Sequence, residues 1–208
     1  MLLCYITDRS RFPGTEPEKR KRLLEKIAEC AGAGVDYIQL REKDLSARDL
    51  EQLALRAMSA LPRNSTAKLL INSRADVALA CGAHGVHLPA ADLTVGDARG
   101  IFSRCGRPAV IGVSTHSMEE VLRAENAGAN FALFGPVFEK SGQANLDGLQ
   151  TLREICHRRI ARMPVFALGG VTLENTRPCL QAGAAGIAAI RLFQDNNDVT
   201  RLVQRLRT

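Results

Sequence analysis

Two cations and an amide occupy every second position of one short stretch of the sequence. In DYIQLREKD, residues 36–44, apolar residues predict a strand, and Gln39, Arg41 and Lys43 alternate with them. Because successive side chains of a strand point to opposite faces, these three share one side. Two cations without counterions are costly to bury, so an anion is their natural complement. The alternative is that both cations pair with acidic neighbours such as Asp8.

A histidine among small polar residues could supply acid/base chemistry. His116 lies in GVSTHS, directly after a short apolar run. An imidazole titrates near neutral pH, so it can give or take a proton in a reaction. We therefore predict that His116 is the general acid or base. The competing interpretation makes it a residue at a helix N-terminus that bonds to the backbone.

Two adjacent glycines give a second indication of an anion site. Gly169 and Gly170 end the apolar run in ALGGVTLEN, residues 167–175. Glycine permits close backbone approach, and a helix over 172–183 would offer its N-terminal amides to a phosphate. The alternative is that both glycines serve only a turn.

The elements that must position these residues follow from a repeated helix-to-strand junction. It occurs in AGVDYIQL (33–40), CGAHGVHL (81–88), AGANFALF (127–134) and AGAAGIAA (182–189), where glycine lies near a helix end and an apolar strand follows. Four further apolar runs are LLCYIT (2–7), KLLIN (68–72), AVIGVS (109–114) and PVFALGG (164–170). Eight short strands separated by helical segments predict a single-domain α/β protein, a (β/α)₈ TIM barrel over residues 1–208. An open doubly wound sheet is the alternative, but no G-x-G-x-x-G follows the first strand.

Three of the intervening segments have clear helical periodicity. They cover residues 16–32, residues 46–60 with Ser46 as N-cap, and residues 117–127. In the last of these, Ser117 and Glu120 have the spacing of a capping box.

Barrel chemistry takes place at the carboxyl ends of the strands, so the residues there form the predicted site. They are Gln39, Arg41, Lys43, Asn72, Asp92, Ser114, His116, Gly135, Gly169, Gly170 and Arg191.

Composition excludes several other classes of protein. The 208 residues are 46% hydrophobic and 24% charged, which is ordinary for a globular domain. The start of the chain makes a poor signal peptide and no run approaches 18 apolar residues, so we expect a cytoplasmic protein without membrane spans.

A charge of +6 with no Trp and two Tyr predicts solvated basic helices rather than nucleic-acid binding. The six cysteines stand singly and predict free thiols. A homodimer remains open.

These residues together resemble the thiamine-phosphate synthase/TenI superfamily of (β/α)₈ barrels. The matching stretches are YITDRS, YIQLREKD, LLINSRADVALACGAHGVHLP, IGVSTHSMEEVLRAENAGANFALFGPVF and ALGGVTLEN. In the synthase branch the resemblance implies that Gln39, Arg41 and Lys43 hold the pyrophosphate of a pyrimidine substrate. It also implies that Asn72 and Ser114 complete the pocket, and that two aspartates hold Mg²⁺.

The sequence departs from that branch at four places. Asn72-Ser73 replaces Asn-Asp, which leaves Asp92 as the one carboxylate for a metal. Where the synthase branch has a loop of the Thr-Pro-Thr-Lys type, this chain has EKSGQANLDG (139–148). VHLPAAD stands where that branch has Gly-Gln after the strand. Arg191 stands where that branch has a small serine.

The departures resemble the TenI branch, which includes thiazole tautomerases that need no metal. On that hypothesis, which we favour from the sequence, His116 moves the proton that aromatises a carboxylated thiazole phosphate. Arg41 or Lys43 anchors an anionic end of the substrate, and Gly169 and Gly170 take the phosphate. Two alternatives stay open. One is an Mg²⁺-dependent synthase joining hydroxymethylpyrimidine pyrophosphate to thiazole phosphate, and the other is a non-catalytic binder of thiamine precursors or products.

Overall fold

The chain forms a closed barrel of eight parallel strands surrounded by helices. The computed structural model describes residues 1–90, 92–139, 146–157 and 162–208. The strands are β1 Leu2–Ile6, β2 Tyr37–Leu40, β3 Lys68–Asn72, β4 Gly85–Leu88, β5 Val110–Thr115, β6 Phe131–Phe134, β7 Val165–Leu168 and β8 Gly186–Ala189. Each strand pairs with its neighbour in sequence, and β8 returns to pair with β1, with Leu2 opposite Gly186. The TIM barrel is confirmed, and the open sheet is excluded.

Helices cover the outer face of the barrel in the part of the chain that the structure describes. They are α1 Glu16–Gly32, α2 Ala47–Ala60, α3 Ala75–Ala80, α4 Val95–Arg104, α5 Met118–Asn126, α6 Leu146–His157, α7 Thr176–Gln181, α8 Arg191–Gln194 and α9 Val199–Arg207, with a 3₁₀ turn at Arg9–Arg11. The described residues contain no helix with the length and apolarity that a membrane span requires.

The local signals at helix starts explain where these helices begin. Ser46 accepts a hydrogen bond from the backbone N–H of Asp49 at 3.1 Å, as predicted for the start of α2. The predicted capping box of α5 is half right, because Ser117 Oγ accepts from the N–H of Glu120 at 3.2 Å. The Glu120 carboxylate, however, accepts from the N–H of His116 at 2.6 Å.

The barrel interior is apolar at one end and polar at the other. Tyr37 and Phe131 lie near the amino ends of their strands with ring centroids 4.8 Å apart, and Phe131 lies 5.2 Å from Phe166. These rings fill the floor of the barrel. Farther along the same strands, polar side chains such as Gln39 occupy the carboxyl ends, so the interior opens there into a pocket.

All six cysteines are free thiols, as predicted. Burial raises the pKa of Cys179 to about 12 and that of Cys156 to about 11, which keeps both thiols protonated at neutral pH. Neither group is therefore a reactive nucleophile.

Candidate active site

A cavity of about 350 Å³ opens at the carboxyl end of the barrel. Its polar lining consists of Gln39, Arg41, Lys43, Asn72, Ser114 and His116, and its apolar lining includes Ile6, Leu133, Leu168 and Ile190. Six of the predicted site residues therefore share one cavity, although they come from β2, β3, β5 and the loops that follow them.

The alternation of charge after β2 explains why the two cations face this cavity. Glu42 and Asp44 point the other way and bind Arg9, whose Nη1 lies 3.0 Å from Glu42 Oε2 and whose Nη2 lies 2.6 Å from Asp44 Oδ2. The side chains of Arg9 and Glu42 are 6% and 2% exposed, so this ion pair is buried. Arg9 lowers the pKa of Asp44 to about 2 through its hydrogen bonds. The two acids that alternate with Arg41 and Lys43 are thus paired with a third cation, Arg9.

The same carboxylate fixes the backbone at Arg41. Thr7 Oγ1 donates to Glu42 Oε1 at 2.6 Å and accepts from the N–H of Arg41 at 2.9 Å. Burial raises the pKa of Glu42, while its bonds to Thr7 and Arg9 oppose that shift. These contacts hold the loop that begins at Arg41 against the end of β1.

The cavity is positively charged. Among the residues that the structure describes, no carboxylate lines it, and neither Arg41 nor Lys43 makes an ion pair. The alternative in which both cations pair with acidic neighbours is therefore wrong for the described chain. Cations without protein partners beside a cavity favour an anionic ligand.

Two amides form a polar pair at the base of the cavity. Gln39 Nε2 donates to Asn72 Oδ1 at 2.8 Å, and Asn72 Nδ2 donates to Ser73 Oγ at 3.0 Å. Gln39 is 3% exposed, and its Oε1 accepts no hydrogen bond within the described residues. A buried acceptor without a donor can bind a ligand N–H group.

His116 stands at the rim with one nitrogen committed to the backbone. Its Nδ1 lies 2.6 Å from the carbonyl oxygen of Gly135. A carbonyl only accepts, so Nδ1 carries a proton and Nε2 is the nitrogen left for proton transfer. His116 is thus bonded to the backbone, as the competing interpretation holds, and still lines the cavity. Gly135, which is predicted to bind substrate, accepts this hydrogen bond from His116.

A second cavity of about 340 Å³ adjoins the first and shares Leu168 and Ile190 with it. Three predicted residues line it, namely Gly169, Gly170 and Arg191, together with Asp8 and Arg11, which the prediction omitted. The only sequence signal for Arg11 is its position five residues after a strand.

The paired glycines are required by the backbone geometry. Gly169 and Gly170 have φ angles of 94° and 62°, and a Cβ on Gly170 would lie 2.1 Å from the carbonyl oxygen of Glu139. The predicted helix over 172–183 begins later, since α7 starts at Thr176. The intervening loop is closed by Asn175, whose Nδ2 donates to the carbonyl of Gly170 at 2.9 Å. The N-terminal N–H groups of α7 therefore do not directly follow the two glycines.

The described residues do not fit a carboxylate-held Mg²⁺. Asp92 is exposed and lines a different cavity of about 430 Å³ against α4 and α5, while Ser73 replaces the second carboxylate. The described residues hold no group of three or more His, Cys, Asp or Glu side chains placed to share a metal. Mg²⁺ prefers oxygen ligands, carboxylates above all, and the two cations beside the main cavity repel it. Residues 140–145 of the predicted 139–148 loop lie outside the described residues.

The other histidines have structural contacts. His84 Nδ1 accepts from the N–H of Leu69 at 3.1 Å, and His157 Nε2 lies 3.0 Å from the carbonyl of Gln181. His87, by contrast, is 1% exposed inside the barrel, with Nε2 2.9 Å from Ser114 Oγ. The prediction left His87 out of the site.

Comparison with known proteins gives consistent matches over nearly the whole chain. Residues 3–193 match the family described as "Thiamine monophosphate synthase". A protein of Chlorobium luteolum named thiamine-phosphate synthase is 40% identical over 192 residues, covering 91% of this chain and 83% of that protein. One of the same name from Halalkalibacterium halodurans is 37% identical, covering 89% and 87%. The solved structure of a thiamine phosphate pyrophosphorylase from Pyrococcus furiosus superposes with a TM-score of 0.81 at 32% identity, covering 99% of this chain and 93% of that one.

Proposed function

The chain belongs to the thiamine monophosphate synthase/TenI family of thiamine biosynthesis, and we propose that it catalyses the synthase reaction. It would join hydroxymethylpyrimidine pyrophosphate to thiazole phosphate and release pyrophosphate. The names of the relatives support this reaction better than the tautomerase that the residues alone favour.

The observation that carries the proposal is the convergence of Arg41, Lys43, Gln39 and Asn72 on one cavity without a described carboxylate. In the reaction, the bond between the pyrimidine methylene carbon and a pyrophosphate oxygen breaks, and the leaving group takes the electron pair. The lone pair of the thiazole nitrogen forms the new bond to that carbon. Charge therefore accumulates on pyrophosphate in the transition state, and fixed cations stabilise it there.

The second cavity gives room for the second substrate. Both cavities have volumes near 350 Å³ and meet at Leu168 and Ile190. On this proposal the pyrophosphate lies against Arg41 and Lys43, and the thiazole phosphate lies against the backbone of Gly169 and Gly170. The reacting atoms of the two substrates then meet between the two anion sites. Because both substrates are held in place, the bimolecular reaction becomes effectively unimolecular.

A thiazole tautomerase is the second candidate, and the position of His116 favours it. With Nδ1 donating to the Gly135 carbonyl, Nε2 can remove a proton from the thiazole phosphate and return it at another ring position. The poor fit to Mg²⁺ agrees with this reaction, because proton transfer needs no metal. The phosphate and carboxylate of such a substrate would still bind the same cations.

Two assays on the purified chain separate the candidates. The first follows condensation of the two substrates with Mg²⁺ and after chelation with EDTA, and the second follows tautomer conversion by absorbance. We expect condensation. The sequence predicts that a synthase needs Mg²⁺, but the described residues fit that ion poorly, so we expect condensation to persist in EDTA with Arg41 and Lys43 supplying the positive charge. Loss of condensation in EDTA would show that Mg²⁺ binds despite the missing carboxylate. Tautomer conversion without condensation would replace the proposal with the second candidate, and tight product binding with neither activity would identify a non-catalytic binder.

A further inference from the structure

His87 is a buried polar group that the proposed reaction does not use. It lies on β4 inside the barrel with 1% of its surface exposed, and its Nε2 is 2.9 Å from Ser114 Oγ on β5. Ser114 lines the cationic cavity. A buried imidazole is thus joined directly to a hydroxyl that faces the ligand space.

The other ring nitrogen of His87 faces an apolar wall. Its Nδ1 is buried and has no hydrogen-bond partner among the described residues. Gly112 lies opposite, where a Cβ would come within 2.8 Å of Nδ1 and 2.4 Å of the ring of Phe131. The missing side chain of Gly112 therefore leaves room for the rings of His87 and Phe131 to pack.

This environment selects one form of the ring. Burial, helped by the charge of Arg41, lowers the pKa of His87 to about 3, so the imidazole is neutral near pH 7. A neutral imidazole has one N–H donor and one acceptor nitrogen. A buried N–H without an acceptor is rarer in proteins than a buried acceptor without a donor. The proton therefore belongs on Nε2, where Ser114 Oγ can accept it.

We infer that His87 is a positioning residue that makes Ser114 a hydrogen-bond donor to the bound anion. Because Ser114 Oγ accepts from His87, its own hydroxyl proton points away from His87 and into the cavity. There it donates to an oxygen of the phosphorylated substrate, beside Arg41. The identity of that substrate rests on the proposed function, whereas the protonation state of His87 does not.

A spectroscopic test needs no activity. Long-range ¹H–¹⁵N correlation spectra of the uniformly labelled wild-type chain at pH 7 report which ring nitrogen carries hydrogen, and His87→Gln assigns the signal by its loss. We expect a protonated Nε2 and a bare Nδ1. A protonated Nδ1 would overturn the inference, whatever reaction the chain catalyses.

A kinetic test uses side chains of different reach. A glutamine amide can reach the position of Nε2, while an asparagine amide reaches only that of Nδ1. We expect His87→Asn and Ser114→Ala each to lower kcat/KM about ten- to a hundredfold, the loss of a hydrogen bond to a charged group. His87→Gln should keep activity within about threefold, and the exposed His84→Asn serves as the matched control.

The double variant His87→Asn/Ser114→Ala separates positioning from general damage. We expect it to be no slower than Ser114→Ala alone, because His87 acts through Ser114. Losses that multiply would refute the inference. A wild-type chain with neither condensation nor tautomer activity would refute the proposed function instead, and the spectroscopic result would still decide the state of His87.

Discussion

Arg9 Nη1 lies 3.0 Å from Glu42 Oε2 in a buried ion pair directly behind the cationic cavity. The pair joins the turn after β1 to the loop after β2. It occupies the acid that alternates with Arg41 and Lys43, so the two cations of the loop remain available to a ligand.

Removal of this carboxylate is expected to destabilise the fold. Glu42→Ala leaves Arg9 buried with one fewer partner, and the free energy of unfolding should fall by about 3–5 kcal/mol. Glu16→Gln is the matched control, since Glu16 also binds Arg9 but is 44% exposed and should cost less than about 1 kcal/mol. Urea denaturation measures both. Equal losses would show that burial of the pair does not matter.

The cavity cations should contribute to ligand affinity rather than to stability. Lys43→Gln removes a charge that has no ion-pair partner among the described residues, so inorganic pyrophosphate should bind about ten- to a hundredfold more weakly. The free energy of unfolding should stay the same or rise. Lys68→Gln, at the exposed start of β3, is the control for lost charge. Titration calorimetry measures the affinity, and an unchanged Kd for Lys43→Gln would contradict the anion site.

Substitution of His116 distinguishes the two reactions. His116→Asn should lower tautomer conversion by about 10²–10⁴-fold if the imidazole transfers the proton. Condensation needs no proton transfer at the reacting nitrogen, so it should change far less. His157→Asn is the control, because His157 bonds to the carbonyl of Gln181 outside the cavity. A loss below about threefold in both assays would remove His116 from either mechanism.

Burial of His87 should make stability depend on pH. Its native pKa of about 3 lies below the ordinary value of about 6.5, so the unfolded chain binds the extra proton between those values. Stability from this group is therefore present above pH 6.5 and is lost as the pH falls. Between pH 7 and pH 5 the loss is about 2 kcal/mol, at about 1.4 kcal/mol per pH unit below 6.5. Denaturation of His87→Gln at both pH values should lack this loss, and equal pH dependence would contradict a buried neutral ring.

Much of the fold could be predicted because its signals are local. Glycines before apolar runs marked the strands, and Ser46 marked the start of α2. The alternation of Gln39, Arg41 and Lys43 predicted that three polar groups face the same side, and all three line one cavity. The strand itself ends at Leu40, so Arg41 and Lys43 lie in the loop that follows it. A homodimer and a cytoplasmic location remain predictions.

The sequence by itself thus determined the order of the strands, the helices that separate them and the set of side chains at the barrel mouth, since these depend on periods of two and 3.6 residues. Only the tertiary structure decided which of those groups meet. Glu42 binds Arg9 across 33 residues and His87 meets Ser114 across 27, while Asp92 lies in a separate cavity. Closure of the barrel and the register between neighbouring strands set those distances, and no local pattern of residues encodes them.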